Sequence, residues 1–183
     1  PNDLLVTTDQ AIESVHFLID RIPPFNLGWR TIAVNISDIA AMAGTPKYIV
    51  IALSCPPTTS ISWIKGLYEG IATICHESGI AVVGGDVSMA KQHAIAVTMI
   101  GETIQSMNQE SQTFQRGKGQ VGDKILVTGT LGGAAGGRSL LFDRKQNDLT
   151  SDLINLFLHP PNRVDVAHDL IISGVQAGMD ISD

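Results

Sequence analysis

The sequence predicts an α+β, or mixed α/β, fold. Short β-branched runs alternate with segments of helical periodicity along the chain. Hydrophobic residues make up 44% of the 183 positions, which is enough to fill a sizeable core. A polar stretch rich in Gln and Ser, at 105–120, divides this pattern in two. We therefore expect an N-terminal domain at 1–118 and the start of a second domain at 119–183.

The N-terminal part is predicted to follow the order β-α-β-α-β-β. Its first strand covers residues 4–8 and stops at Asp9. Two prolines mark a loop at 21–27, and the helix after it carries an apolar stripe that includes Ile32 and Ile36. That helix covers residues 28–42. The remaining predicted elements are a second helix at 61–78 and strands at 47–54, 80–83 and 94–102.

The second part is predicted to follow the order β-α-α-β. Residues 121–129 have the pattern of a turn and a strand, and a glycine-rich turn at 128–137 leads into a helix. A second helix follows the prolines at 160 and 161, and a last strand begins in 178–183.

Composition weighs against several classes of function. The net charge is −6 and no basic stripe is present, so nucleic acid and anionic membranes are poor candidate partners. Cys55 and Cys75 form no CxxC pair, so zinc and redox motifs lack support. We find no signal peptide and no apolar run long enough to cross a bilayer, and we expect a cytoplasmic protein.

Aspartates interrupt the apolar segments. Asp9 and Asp86 follow predicted strands, Asp38 borders the stripe of the first helix, and Asp180 and Asp183 lie in the last segment. Each one alone has an ordinary interpretation as a turn residue, a helix cap or a solvated charge. Ligands of α/β sheets collect at strand ends, so the recurrence predicts that Asp9, Asp38 and Asp86 share one cleft. Such carboxylates repel one another unless cations lie between them, and Mg²⁺ bridging to phosphates is a common arrangement.

Other features allow both a structural and a functional interpretation. Gly85 and the glycine-rich turn at 128–137 are ordinary turns or places where backbone N–H groups approach a phosphate, and neither is a Walker A motif. His16 is a half-buried histidine or a ligand contact. Arg116 is a solvated charge or a phosphate contact.

Five segments together resemble thiamine-monophosphate kinase, within the aminoimidazole ribonucleotide synthetase-like superfamily. In the family's order and spacing, they read VTTDQAIESVHF, LGWRTIAVNISDIAAMAGTPKYIVIAL, GIAVVGGDVS, VGDKILVTGTLGGAAGG and MDISD. The resemblance implies a two-domain architecture, with an N-terminal sheet-and-helix domain and an incomplete C-terminal α/β domain. It also implies a homodimer in which the N-terminal sheets of two subunits form a shared barrel.

The activity that the resemblance implies is transfer of the γ-phosphoryl group of ATP to thiamine monophosphate, which gives thiamine diphosphate and ADP. Several Mg²⁺ ions would assist, and a role for K⁺ stays open. The acceptor phosphate oxygen is already a nucleophile at neutral pH, so direct transfer needs positioning and charge neutralisation more than a general base.

Matched position by position, the resemblance assigns metal ligation to Thr7, Thr8, Asp9, Asp38, Asp86, Asp180 and Asp183. It assigns ATP contacts to Gly85, Asp86, Arg116 and Ser182. His16 matches a position that touches the thiamine phosphate.

The chain also departs from the family pattern. It starts after the family's Asp-Asp pair and stops before most of the second domain, so we expect these 183 residues alone to lack full kinase activity. Ser14 stands where the family usually has glycine. Two other functions stay open: a different ATP-using member of the superfamily, resembling aminoimidazole ribonucleotide synthetase or selenophosphate synthetase, and a non-catalytic nucleotide-binding dimerisation module.

Overall fold

A computed structural model of the chain describes residues 3–105, 110–143 and 152–181. Its strands are β1 (Leu4–Ile12), β2 (Gly44–Cys55), β3 (Ala81–Met89), β4 (Ala94–Gln105) and the short β5 (Ser111–Gln112). Its helices are α1 (Pro24–Ala40), α2 (Ile61–Glu77), α3 (Gly133–Phe142), α4 (Asp152–Leu158) and α5 (Val164–Ile172), and a 3₁₀ turn covers Arg116–Lys118. The mixed α/β fold and the N-terminal order β-α-β-α-β-β are confirmed.

The sheet has the order β1-β4-β2-β3, and β5 pairs with the end of β4. The β1–β4 and β4–β2 pairs are antiparallel, and β2–β3 is parallel. Alternate residues of β4, among them Ile95, Val97 and Met99, are fully buried toward α1 and α2. The opposite side of the sheet, which we call the open face, carries exposed side chains such as Val50 and Val6.

Helices α1 and α2 pack backbone against backbone at two glycines. A Cβ atom added to Gly28 would overlap the carbonyl oxygen of Leu67, and one added to Gly70 would overlap that of Phe25. Only glycine permits this approach. The close crossing fixes how α1 lies on the sheet, and therefore where its Asp38 end is placed.

β1, β2, β3 and β4 all extend beyond their predicted ranges, and β1 and β3 continue past the aspartates that were expected to end them. β1 continues past Asp9 to Ile12 because β4 supplies a pairing partner for each of its residues, from Leu4 opposite Glu102 to Ile12 opposite Ala94. β3 runs through the Gly-Gly-Asp sequence because β2 pairs with it as far as Met89. The prediction that Asp9 and Asp86 end their strands was wrong, because ladder pairing overrides their turn preference.

Helix α1 starts earlier than predicted. It begins at Pro24, inside the segment predicted as a loop, with Pro23 as the preceding cap residue. Proline suits the first turn of a helix because its fixed φ matches the helix and its missing N–H has no partner to lose there.

The second part forms helices, but the segments predicted as strands are irregular. No strand forms at 120–131 or at 175–181, and Val121, Ile125 and Leu126 are exposed. A single strand is unstable without a partner strand, and no described strand pairs with these segments. The short helix α4 was not predicted. Nowhere in the described ranges is a helix both long and apolar enough to cross a membrane.

Candidate functional site

The first contact of the site joins β1 to α1. Thr7 Oγ1 donates a hydrogen bond of 2.6 Å to Asp38 Oδ2. Thr7 pairs with the buried Met99, and Asp9 pairs with the buried Val97, so both side chains lie on the helix side of β1. Strand alternation and the position of α1 thus bring a threonine hydroxyl and a carboxylate together.

Two further carboxylates surround this contact. Burial raises the pKa of Asp38, and the charges of Asp180 and Asp9 raise it further, against the opposing effects of the Thr7 hydrogen bond and of Arg116. We call Asp9, Asp38 and Asp180 the carboxylate cluster. The raised pKa shows that negative charge at Asp38 is under-compensated by the side chains around it.

Arg116 reaches the same place from the 3₁₀ turn. Its Nη2 lies 3.4 Å from Asp180 Oδ1, and its side chain is 74% exposed while that of Asp180 is 11% exposed. The segment before it is fixed by a hydrogen bond from Thr113 Oγ1 to the Met42 carbonyl, at 2.8 Å. The structure therefore brings Arg116 and the carboxylate cluster together, although Arg116 lies 78 positions after Asp38 in the chain.

Thr8 faces away from the cluster. Its Oγ1 donates to the Val97 carbonyl at 3.1 Å and accepts from Thr98 Oγ1 at 3.2 Å. These partners lie along β4 on the open face, whereas Asp38 lies on the helix face. The Thr8 side chain cannot join Thr7 and Asp38 around one point within a single chain.

Asp86 and Gly85 lie at the other edge of the sheet. The register runs from Asp9 through Val97 and Ile51 to Gly85, so three strand spacings, about 14 Å, separate the edges. Asp86 is exposed and accepts a hydrogen bond of 2.7 Å from Ser88 Oγ. Within one chain, Asp86 does not share a cleft with Asp9 and Asp38, and the sequence-based expectation is corrected on this point.

Gly85 has a structural role of its own. A Cβ atom at this position would overlap the backbone oxygen of Ile51 on β2. The neighbouring register shift, at Ile49 and Val50 of β2, leaves an extra residue on β3 just before the two glycines. Close approach of two strands is therefore sufficient to explain a glycine at position 85.

The donor types of the cluster fit a hard divalent cation. Hydroxyl and carboxylate oxygens are the ligands that Mg²⁺ prefers, and Mg²⁺ commonly completes its shell with waters and substrate phosphates. Within the described ranges, however, no group of three or more His, Cys, Asp or Glu residues is close enough to hold a metal ion. Ser182 and Asp183, the other two predicted site residues, lie outside the described residues.

His16 occupies a tight loop directly after β1. The backbone N–H of Ile12 donates to His16 Nδ1 at 3.1 Å, and the N–H of His16 donates back to the Ile12 carbonyl at 2.8 Å. Because Nδ1 accepts, a neutral His16 carries its proton on Nε2, which can donate to an anionic ligand. The ring is exposed, so the interpretation as a half-buried core histidine was wrong.

Sequence reasoning missed Arg30 on α1. Its guanidinium lies 4.1 Å from the centre of the Phe157 ring and donates to the Phe157 carbonyl oxygen. Burial lowers the pKa of Arg30 to about 10, the charge of Asp9 opposes this, and Arg138 adds to it. An arginine inside the mostly apolar α1 segment was the available signal. It places a cation near Asp9 and ties α1 to α4.

Residues 1–103 match the family described as AIR synthase related protein, N-terminal domain. The chain is 36% identical over 183 residues to the thiamine-monophosphate kinase of Aquifex aeolicus, covering 98% of this chain and 56% of that protein. It is 35% identical over 184 residues to the Bacillus subtilis thiamine-monophosphate kinase, covering 98% and 55%. The chain thus spans about half the length of these curated relatives.

Its fold is also that of a solved relative. The structure of AaThiL complexed with AMPPCP and TMP superimposes with a TM-score of 0.89 at 34% sequence identity, covering all of this chain and 57% of that one. The match with the family over more than half of the chain, together with these relatives, establishes that the chain belongs to the AIR synthase related protein family and carries its N-terminal domain.

Proposed function

We propose that the protein containing this chain transfers the γ-phosphoryl group of ATP to thiamine monophosphate, with Mg²⁺ bound at the carboxylate cluster. The observation that carries the proposal is the contact of Thr7 with Asp38, surrounded by Asp9, Asp180 and Arg116. Relatives at 35–36% identity are named thiamine-monophosphate kinase. AMPPCP, an ATP analogue, and TMP are the ligands of the structurally similar AaThiL.

The proposed role of each residue follows from its charge and its hydrogen-bonding groups. Asp9, Asp38 and Asp180 would bind Mg²⁺ together with ATP phosphates and waters that complete its shell, since within the described residues the three carboxylates do not converge on one ion by themselves. The bound Mg²⁺ would neutralise phosphate charge. Thr7 orients the Asp38 carboxylate through its hydrogen bond. Arg116 is largely exposed beside Asp180 and has guanidinium donors left for an ATP phosphate. Further metal ligation by Asp183 and an ATP contact by Ser182 extend the same proposal.

His16 would contact the acceptor substrate. It lies beyond the end of β1, and the three steps along the strand from Asp9 to Ile12 span about 10 Å. A neutral His16 presents its Nε2–H outward, as a donor suited to a phosphate oxygen. Donor and acceptor phosphates could then meet between His16 and the carboxylate cluster, without a general base.

A homodimer would complete the site. The open face carries exposed apolar side chains, and β1 and β3 each have one edge without a partner among the described strands. If β3 of one copy lay along β1 of its partner in a shared barrel, Asp86 would reach the edge that carries Thr8 and Asp9. Asp86 pairs with Ala52, which belongs to the open face, the same side as Thr8.

The dimer has its own test. Val50→Glu places a charge on the open face and should convert a dimer to monomers in sedimentation equilibrium, because the charge would be buried at the interface. Ile172→Glu is the control, since Ile172 is 72% exposed at the end of helix α5 and is not a residue of the sheet. A wild-type chain that sediments as a monomer at all concentrations would contradict the dimer.

The catalytic proposal is tested by a product assay on the full-length protein. Thiamine monophosphate is offered beside aminoimidazole precursors and selenide, with ATP and Mg²⁺ in each reaction. We expect thiamine diphosphate alone. A purine-pathway product or selenophosphate would instead assign the protein to another ATP-using branch of the superfamily. Nucleotide binding without any product would support the non-catalytic module.

A further inference from the structure

Glu13 and His93 are joined by three hydrogen bonds. Glu13 Oε2 accepts from the backbone N–H of His93 at 3.0 Å and lies 2.8 Å from His93 Nδ1. The backbone N–H of Glu13 donates to the His93 carbonyl at 2.9 Å. The two side chains are only 20% and 7% exposed. No other part of the proposed function uses this pair.

A third residue extends the connection. His93 Nε2 lies 2.9 Å from Thr59 Oγ1, in the loop before α2. Because the Glu13 carboxylate only accepts, His93 Nδ1 must donate to it, and Nε2 of a neutral His93 then accepts a hydrogen bond from the Thr59 hydroxyl. Hydrogen bonds from His93 lower the pKa of Glu13, so the carboxylate is ionised at neutral pH. Both ring nitrogens of His93 are therefore hydrogen-bonded within the Glu13–His93–Thr59 chain.

This order of groups matches that of a hydrolytic triad, but the surroundings exclude that role. His93 is 5% exposed, and the Trp63 ring lies against it with the ring centres 4.6 Å apart. A substrate cannot reach the imidazole that would act as base. The chain instead connects the end of β1, the turn before β4 and the start of α2.

Glu13 is the anchored residue of the loop that carries His16. Residues 12–17, which we call the His16 loop, turn at Ser14, whose φ is 65°. The Ser14 N–H donates to the Phe17 carbonyl at 2.7 Å, and Phe17 is buried. The loop is thus held at Phe17 by the core and at Glu13 by His93, and His16 lies between these two points.

We propose that Glu13 and His93 are positioning residues, which hold the His16 loop so that His16 presents Nε2–H to the acceptor substrate. The link to substrate rests on the proposed kinase function. The proposal that Glu13 and His93 fix the position of His16 is independent of that function, because it follows from the hydrogen bonds of this chain alone.

The first test measures His16 without any substrate. Nitrogen-15 NMR of the histidine rings in this chain reports the His16 tautomer, and amide exchange reports the Ile12 N–H. In Glu13→Ala we expect loss of the single-tautomer signature of His16 and exchange of the Ile12 amide faster by about tenfold or more. Glu13→Gln should rescue both, because its Oε1 can still accept from His93. Glu77→Ala, at an exposed glutamate, is the control.

A pair of His93 variants guards against a misfolded Glu13→Ala. In His93→Asn the amide nitrogen stands in for Nδ1 and keeps the side-chain bond to Glu13. In His93→Gln the amide oxygen stands in for Nε2 and accepts from Thr59, so the side-chain bond to Glu13 is lost. The two backbone hydrogen bonds between positions 13 and 93 remain in both variants. We expect His93→Gln to release His16 and His93→Asn to hold it. An unchanged His16 signature and Ile12 exchange in folded His93→Gln, or in folded Glu13→Ala, overturns the proposal.

The second test uses the full-length enzyme. Glu13→Ala should raise the KM for thiamine monophosphate by about tenfold while the KM for ATP changes by less than about twofold, since only the acceptor contact is displaced. Equal KM values for thiamine monophosphate in wild type and Glu13→Ala, with His16 released, would overturn the substrate role. If the wild-type enzyme makes no thiamine diphosphate, the kinase proposal fails, and the NMR test still decides whether Glu13 and His93 hold His16.

Discussion

The Thr7 hydroxyl donates a 2.6 Å hydrogen bond to the Asp38 carboxylate, joining the first strand to the first helix. The two residues are 31 positions apart, and the contact exists because α1 packs against the face of β1 that carries Thr7.

Asp38→Asn should weaken Mg²⁺-dependent nucleotide binding and stabilise the fold in the absence of metal. Asn Oδ1 still accepts from Thr7, while the charge that the pKa of Asp38 shows to be under-compensated is removed. The raised pKa means that the stability contributed by protonated Asp38 is present at low pH and lost as pH rises through that pKa. Urea denaturation at pH 7 should therefore give a higher midpoint for Asp38→Asn than for wild type. A lower urea midpoint for Asp38→Asn than for wild type would show that the surrounding groups stabilise the charged Asp38 carboxylate.

Gly84→Ala and Gly85→Ala should differ although the positions are adjacent. A Cβ at Gly85 overlaps the Ile51 backbone, whereas one at Gly84 lies 3.6 Å from a Val50 methyl group, an ordinary contact. We expect Gly85→Ala to cost about 2 kcal/mol or more of unfolding free energy and Gly84→Ala less than about 1 kcal/mol. Chemical denaturation of both variants checks this. Equal unfolding free energies for the two variants would contradict the structural role of Gly85 and leave only its proposed contact with ATP.

Ser14→Gly should stabilise the chain. Ser14 holds a left-handed φ of 65°, which costs a residue with a Cβ about 1 kcal/mol relative to glycine. The matched control is Ser78→Gly, because Ser78 has a φ of −97° and should gain nothing. Thermal denaturation of both variants measures the difference. Destabilisation by Ser14→Gly would mean that the Ser14 side chain has a stabilising contact greater than the strain.

The Glu13–His93 pair should make stability depend on acid pH. The pKa of Glu13 is lowered in the folded chain, so its contribution is present above the ordinary glutamate pKa of about 4.3 and is lost as pH falls through the lowered value. The advantage of wild type over Glu13→Gln in unfolding free energy should be largest near pH 7 and disappear on acidification. Chemical denaturation of both proteins between pH 7 and pH 3 measures this difference. A difference in unfolding free energy that stays constant with pH would show that the carboxylate charge contributes nothing to stability.

Local pattern was sufficient to predict much of the N-terminal domain. The apolar stripe of α1 and the β-branched runs of β2 and β4 are local signals, and the structure confirms those elements. The ends of β1 and β3 were not predictable, because they depend on partner strands far away in sequence. The expected strands after residue 120 need partners too, which the described residues lack.

The site was predictable in part. Asp38 was singled out at the border of a helical stripe and Asp9 at the end of a predicted strand, whereas Thr7 was singled out through the family resemblance. The separation of Asp86 from them needed the sheet order, which no local pattern gives. The Glu13–His93 contact spans 80 positions and joins two loops, so neither residue stands out in the sequence.

The most direct test of the proposed site is calorimetry of the full-length protein with Mg²⁺ and AMPPCP, comparing wild type with Asp38→Asn. Asp169→Asn is the control, because Asp169 is exposed on α5, outside the carboxylate cluster. We expect Mg²⁺-dependent binding that Asp38→Asn weakens by about tenfold or more and that Asp169→Asn leaves unchanged, in line with losing a charged ligand. Equal Mg²⁺-dependent affinity in wild type and Asp38→Asn would contradict a magnesium–phosphate site at Asp38.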